Sequence, residues 1–330
     1  ARIGVVISEK HRLRSLNRLQ WGCIHFHSYL CSDSFDVHDE EEQEINQLMD
    51  LELWRHVGEN AVDEITGGGW LSSYTGLPIS REEMDEYGDN ILKKLEPFLH
   101  PGMKVLEIGC ASGISMFRIA PKVGLYYGTD LSEIIIEKNR QQVREKGIQN
   151  IQLACLPAHE IEQIPVNDFD LVIINSVIQC FHGHNYLRKV LKKAVSLLGA
   201  SGYLFIGDVM NQEKKGALVK ELTAFKEANR HKGYTTKTDF SAELFVSPGF
   251  WQDLRAEWGE IETATCSDKL FTIENELTKF RYDVLLTVNK DGKPAGQKFK
   301  YQDDMRVLSR YKDSWIGPEL VAGNLAYIIY

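Results

Sequence analysis

The chain has 330 residues, with 47 acidic against 38 basic side chains and a net charge of −9. That length exceeds what one core commonly supports, so a core fold of roughly 200 residues with additions is expected. The Lys and Arg residues are scattered rather than gathered into a stripe, which argues against a nucleic-acid partner, and no apolar run of membrane-spanning length occurs, so no membrane partner is expected either.

In chain order, Glu40–Val57 and Ser80–Leu99 carry helical patterns, joined by "DEITGGGWLSSYTGLPIS", whose glycines and aromatic residues suit a mobile cover over a pocket. A helical lid is therefore predicted over 39–100, with Trp70, Tyr74 and Tyr87 as candidate substrate readers. From Lys104 onward short β-branched runs alternate with helical patterns. Strands are predicted at Lys104–Ile108, Leu125–Thr129, Ile151–Ala154, Phe169–Asn175 and Tyr203–Asp208, with helices at Ser112–Ala120, Ser132–Lys146 and Asn185–Leu198 between them. Helices at Glu213–Arg230 and Gly249–Trp258 follow, and strands at Ile261–Thr265 and Phe280–Val288 complete the sheet. Alternation of this kind gives an α/β fold, a doubly wound, mostly parallel sheet. The six cysteines, at 23, 31, 110, 155, 180 and 266, include no CxxC pair, so no structural metal or disulfide framework is expected and a reducing cytoplasm fits.

The stretch "VLEIGCASG", Val105–Gly113, turns from a strand into a helix and frees backbone N–H groups at the carboxyl edge of the sheet, where ligands of such folds bind. Its spacing is Gly109-x-x-x-Gly113 rather than GxGxxG, which disfavours a nicotinamide oxidoreductase on the same fold. Asp130 ends the second strand, where a carboxylate accepts both hydroxyls of a ribose. An acid at Glu107 and the lack of a phosphate-binding lysine point to a positively charged nucleoside, and S-adenosylmethionine meets both requirements.

These residues resemble the Rossmann-like class I methyltransferases, with E-x-G-x-x-x-G on strand one, "LPAHE" after strand three and "DFDLVIINSVIQCF" on strand four. The resemblance implies a seven-stranded sheet and places Glu107, Gly109, Cys110 and Gly113 around the methionine part of the cofactor. By the same likeness Asp130 and Leu131 hold the ribose, Pro157, Ala158 and His159 line the adenine edge, and Asn175 and Ser176 border the reacting methyl. "FHGHNYL" sets His182 and His184 just past strand four as candidate bases, and Glu276 in "TIENELTKFRYD" is a candidate partner that would orient an imidazole. Arg281 and Tyr282 in "FRYD" either face the site or pack the sheet.

"LWRHVGENAVDEITGGGWLSSYTGLPISREEMDEYGDNIL", "INSVIQCFHGHNYL" and "ENELTKFRYDVLL" are similar to methyltransferase domains of nonribosomal peptide synthetases and mixed polyketide assembly lines. The two histidines look like the O-methylating members, which implies a His182–Glu276 base, with His184 as the other candidate, acting on a hydroxyl of a unit tethered to a phosphopantetheine-bearing carrier protein. N-methylation and a catalytically silent insert are the alternatives. The stretches "ARIGVVISEKHRLRSL" and "NLAYIIY" resemble parts of adenylation domains. The expected organisation is thus an adenylation fragment over 1–38, the lid over 39–100, the cofactor-binding core over 101–290, and linker plus a second fragment over 291–330.

Overall fold

The computed structural model describes residues 51–59 and 69–291. The expected adenylation-like fragment at 1–38, and that of 291–330 from residue 292 onward, lie outside the described residues, as does most of the first predicted helix. What is described of that helix is α1, Leu51–Glu59.

Helix α2, Arg81–Leu95, opens on a capping box in which Ser80 and Glu83 satisfy each other's backbone N–H groups. It buries Met84, Tyr87, Ile91 and Leu95 against the sheet, and the turn carrying Pro97 ends it short of the predicted Leu99. Strand β1, Lys104–Ile108, leads into a loop and a four-residue helix α3, Met116–Ile119. The predicted helix over Ser112–Ala120 shrinks to this because Gly113 holds a left-handed φ of +90° and Pro121 forces a tighter turn.

There follow β2 (Leu125–Asp130), α4 (Glu133–Glu145), β3 (Ile151–Cys155), β4 (Phe169–Asn175) and α5 (His184–Leu197). Strand β5 spans Leu198–Met210, starting earlier than predicted because Leu198 pairs with Phe169 across a bulge. Helices α6 (Lys215–Ala228) and α7 (Pro248–Glu257), strand β6 (Ile261–Ser267), the short helix α8 (Glu276–Phe280) and strand β7 (Arg281–Asn289) complete the order.

The sheet has seven strands in the order β3-β2-β1-β4-β5-β7-β6. The first five are parallel, and β7 runs antiparallel between β5 and β6. β1 and β4 lie centrally and are buried along almost their whole length, which is why both read as near-continuous apolar runs. The order reverses between β1 and β4, and the loops after both strands open at the same carboxyl edge, the place where open α/β sheets hold ligands.

Between α1 and α2, residues 69–79 form a flap closed by a bridge between Leu71 and Pro78. The flap is tied down: Thr235 and Lys237 donate their N–H groups to the carbonyls of Thr75 and Ser73, and Thr236 Oγ1 bonds the Tyr74 carbonyl at 2.7 Å. No helix among the described residues is long and apolar enough to cross a membrane.

Candidate active site

At this edge lies a cavity of about 270 Å³, lined from β1, β2, β4, the flap, α2 and the start of β7. The loop after β1 forms its floor. Gly109 has a φ of +78°, and a Cβ there would sit 2.4 Å from Val177 Cγ2, so only glycine fits between the β1 and β4 loops. The N–H groups of Gly109 and Cys110 both donate to the Thr129 carbonyl at 2.8 Å, and Asp130 holds the next turn, accepting from Ala111 N at 3.0 Å and from Ser132 N at 2.9 Å. Both Asp130 oxygens thus have a protein donor, and the carboxylate retains a lone pair for a ligand.

Glu107 is 2% exposed and accepts the Tyr126 hydroxyl at 2.8 Å. Burial pushes its carboxyl up to about 7, against the hydrogen bonds of Tyr126 and Ser115. Burial likewise raises Asp130, against the three amide hydrogen bonds that pull it down. Two desolvated carboxyl groups beside one cavity are unfavourable as a pair of anions, and a cationic ligand relieves both.

Of the residues expected around a cofactor, Glu107, Gly109, Cys110, Asp130, Leu131, Pro157, Ala158, Asn175 and Ser176 line the cavity. Two lie elsewhere. Gly113 shapes the turn, where a Cβ would meet the Phe117 ring at 2.7 Å. His159 turns toward α5, its Nδ1 sharing a hydrogen bond with the Tyr186 hydroxyl at 2.9 Å.

The three residues expected to act as a base do not line the cavity among the described residues, whereas Phe181, Leu277 and Arg281 beside them do. His182 packs edge-on against Tyr186, with ring centroids 5.3 Å apart. His184, the first residue of α5, packs on Phe250, and burial together with the Arg188 charge lowers it to about 4, far too weak a base for neutral pH. Glu276 is 7% exposed and accepts the Ser73 N–H at 2.7 Å, so its carboxylate pins the flap.

At the inner end of the cavity stands a different group. Asn175 Nδ2 donates to the Tyr87 hydroxyl at 2.7 Å, and its Oδ1 is buried without a hydrogen-bond partner among the described residues. Gln179, four residues on, likewise has a buried, unpartnered Oε1 while its Nε2 donates to Ser176 Oγ at 2.8 Å. Both residues line the cavity, and each carries a buried carbonyl oxygen that a ligand donor would satisfy once its side chain turns toward the cavity. Tyr87 was among the aromatic residues singled out in the sequence, but Gln179 was missed; its spacing from Asn175 through the turn at Ile178–Cys180 was the available signal. Of the other aromatic candidates, Trp70 lines the cavity and Tyr74 instead donates its hydroxyl to Glu221 at 2.6 Å.

Behind this end lies a buried ionic network. Asp283 accepts from Lys269 at 2.7 Å, Lys94 at 2.8 Å and Asn90 at 3.0 Å, and also takes the Asp208 N–H at 2.8 Å. Burial alone would raise the Asp283 carboxyl, but the Lys269 and Lys94 charges outweigh it and hold it at about 2. Asp208, at a left-handed φ of 63° where β5 bulges, pairs with Arg281 Nη1 at 2.5 Å and with Lys269 at 3.3 Å.

Comparison with known proteins agrees with the fold. A family described as a methyltransferase domain matches residues 99–265. The chain is similar to a probable non-canonical nonribosomal peptide synthetase, CymA, of Salinispora arenicola, at 35% identity over 66% of this chain and 3% of that protein. It is also similar to chondramide synthase cmdD of Chondromyces crocatus, at 31% identity over 69% of this chain and 6% of that protein. The chain therefore spans only a small part of the length of these relatives. Among solved structures, phosphoethanolamine N-methyltransferase 1 of Haemonchus contortus, in complex with phosphoethanolamine and S-adenosylhomocysteine, shares the fold. The TM-score is 0.52 at 16% identity, over 84% of this chain and 54% of that one.

Proposed function

The chain belongs to the methyltransferase-domain family, and from that premise we propose that it methylates the amine of an aminoacyl unit tethered to the carrier of a peptide synthetase. The methyl donor is S-adenosylmethionine, which supplies an electrophilic methyl carbon whose bonding electrons stay with sulfur when the new bond forms. Glu107 and Asp130 fit its cationic amino-acid part and its ribose; Leu131, Pro157 and Ala158 give the base an apolar slot.

The observation that carries the choice of acceptor is the buried, unpartnered Oδ1 of Asn175, a residue that lines a cavity whose described lining has no imidazole. A hydroxyl must lose its proton during attack and needs a base in reach. An α-amine titrates near about 8, so part of it is already neutral at physiological pH and carries its own lone pair. Such an amine needs orientation more than deprotonation. Asn175 Oδ1 accepts one N–H, which turns the nitrogen lone pair toward the methyl carbon, and after transfer the surplus proton leaves to solvent. Tyr87 fixes the carboxamide, and burial keeps its own phenol neutral. O-methylation by a His182–Glu276 pair would require both groups to swing into the cavity from their present contacts with Tyr186 and Ser73.

Placement within a larger synthetase polypeptide is supported by the names of the relatives and by the small share of their length that this chain spans; delivery on a carrier beside adenylation-domain parts is part of the proposal. The test is intact-protein mass spectrometry of carrier proteins loaded with aminoacyl or hydroxyacyl groups, each incubated with this chain and S-adenosylmethionine, followed by fragmentation. A methyl on the α-nitrogen is the expected result; a methyl on oxygen, lost in His182→Ala, would overturn the amine reading.

A further inference from the structure

Arg281 opens β7 at the cavity wall with 14% of its side chain exposed. Its hydrogen bond is made through Nη1 to Asp208, while a guanidinium carries five N–H donors in a fixed fork. Donors are left over, and the cavity is where they can act. The charge, in contrast, is already balanced. Lys94, Lys269 and Arg281 face Asp208 and Asp283 in the buried network, and the carboxylate of Glu276 adds its field at Arg281. Lys237, whose charge also reaches this end of the cavity, is ion-paired with Glu243.

A cation that is neutralised yet has open donors suits a neutral acceptor better than an anion. A carboxylate placed here would add an uncompensated negative charge to a desolvated site, whereas a carbonyl oxygen adds none. Arg281 and Asn175 line the same cavity, and the Tyr87 phenol beside Asn175 lies within the field of the Arg281 charge. The two groups that this arrangement can read together are an amine and a neutral carbonyl next to it.

We propose that Arg281 is a specificity-determining residue that binds the carbonyl oxygen adjacent to the acceptor amine, and so selects an acyl-linked amino acid over the free zwitterion. This rests on the amine reading given above. It adds a reason for a tethered substrate that lies in the chain's own charges: the thioester link removes the carboxylate that the site would reject.

The test compares three acceptors with the same side chain: an aminoacyl N-acetylcysteamine thioester, its thioether in which methylene replaces the carbonyl, and the free amino acid. In the unaltered chain saturated with S-adenosylhomocysteine, calorimetry should show the free amino acid binding at least about ten-fold more weakly than the thioester. Equal or tighter binding of the free amino acid overturns the proposal. Arg281→Lys keeps a cation for Asp208 but loses the planar fork, and Arg281→Gln removes the charge. In both, kcat/KM for the thioester should fall at least about ten-fold while that for the thioether changes less than about three-fold; the ratio of ratios cancels the different basicity of the two amines. Equal losses on both acceptors would mean that Arg281 only supports the fold, which binding of S-adenosylhomocysteine by each variant reports separately. If the unaltered chain puts no methyl on the nitrogen of any aminoacyl thioester, the amine reading itself fails and this inference with it; methylation that is blind to the carbonyl sinks this inference alone.

Discussion

The carboxamide of Asn175 at the end of β4 is held by the hydroxyl of Tyr87 on α2, 2.7 Å away and 88 residues earlier in the chain. The bond fixes which way the amide oxygen points. Tyr87→Phe leaves the buried Nδ2 without its acceptor, a loss on the order of 1–3 kcal/mol, and frees the amide to turn. We expect kcat to fall by about ten-fold or more, with donor affinity changed by less than about three-fold, because the loop proposed to hold the donor is untouched. Steady-state kinetics with calorimetric donor titration separates the two effects. A fall in donor affinity alone would show that Tyr87 serves the cofactor side instead.

Gly207 lies opposite Asn175 in the β4–β5 register, and a Cβ on it would sit 2.1 Å from Asn175 Oδ1. The nearest atom in the way is the end of a side chain that can rotate, and the Phe205 ring, 2.8 Å away, must also shift slightly. Gly207→Ala should therefore fold, with a modest drop in melting temperature, yet lose most of its turnover as the carboxamide is pushed aside. Full activity in a folded Gly207→Ala protein would remove Asn175 from the mechanism.

Glu107 makes donor binding depend on pH. Its folded carboxyl, at about 7, lies above the ordinary 4.5. The native state therefore binds more protons than the unfolded chain between those values, and this group's contribution to the stability of the ligand-free fold is present below about 4.5 and lost as pH rises through 7. A cationic ligand reverses the preference. Donor affinity should increase by about ten-fold between about pH 6 and 8, and the rise in melting temperature on adding S-adenosylmethionine should grow with it. Glu107→Gln should flatten that dependence; a wild-type profile equally flat would show that Glu107 stays ionised without ligand.

The Lys269–Asp283–Asp208 network should carry a large share of the fold's stability. Lys269→Met leaves two buried carboxylates short of a cation, at a cost on the order of 3–5 kcal/mol, measured by denaturant unfolding. The folded Asp283 lies at about 2, below its unfolded value, so its contribution is complete above about pH 4 and disappears as pH falls toward 2. A loss below about 1 kcal/mol in Lys269→Met would mean that the network relaxes around the gap.

The strands of this fold are legible in sequence because a buried parallel strand is a short apolar run between polar turns, and β1 and β4 start and stop where their apolar runs do. The loop after β1 is legible for a similar reason: the places of Glu107, Gly109 and Asp130 at one edge of the sheet follow from their positions along consecutive strands. The acceptor end is not. Asp208 meets Lys269 and Arg281, and Tyr87 meets Asn175, only through tertiary packing, so no local period announces them. His182 and His184 drew attention by residue type, and which side of the chain each imidazole takes was decided by Tyr186 and Phe250, aromatic residues with no chemistry of their own to advertise.

The flap over the cavity is fastened from both sides of the sequence, by the 235–237 segment and by Glu276. None of these bonds can open usefully alone, because releasing Ser73 from Glu276 still leaves the flap stitched to Lys237, Thr236 and Thr235. Lifting the flap would thus be a cooperative event of stretches far apart in the chain rather than the swing of a local hinge. A residue that never approaches the reaction, in the 235–237 segment or at the start of α8, would then set how often the flap lifts, and so tune turnover without altering the chemistry beneath it.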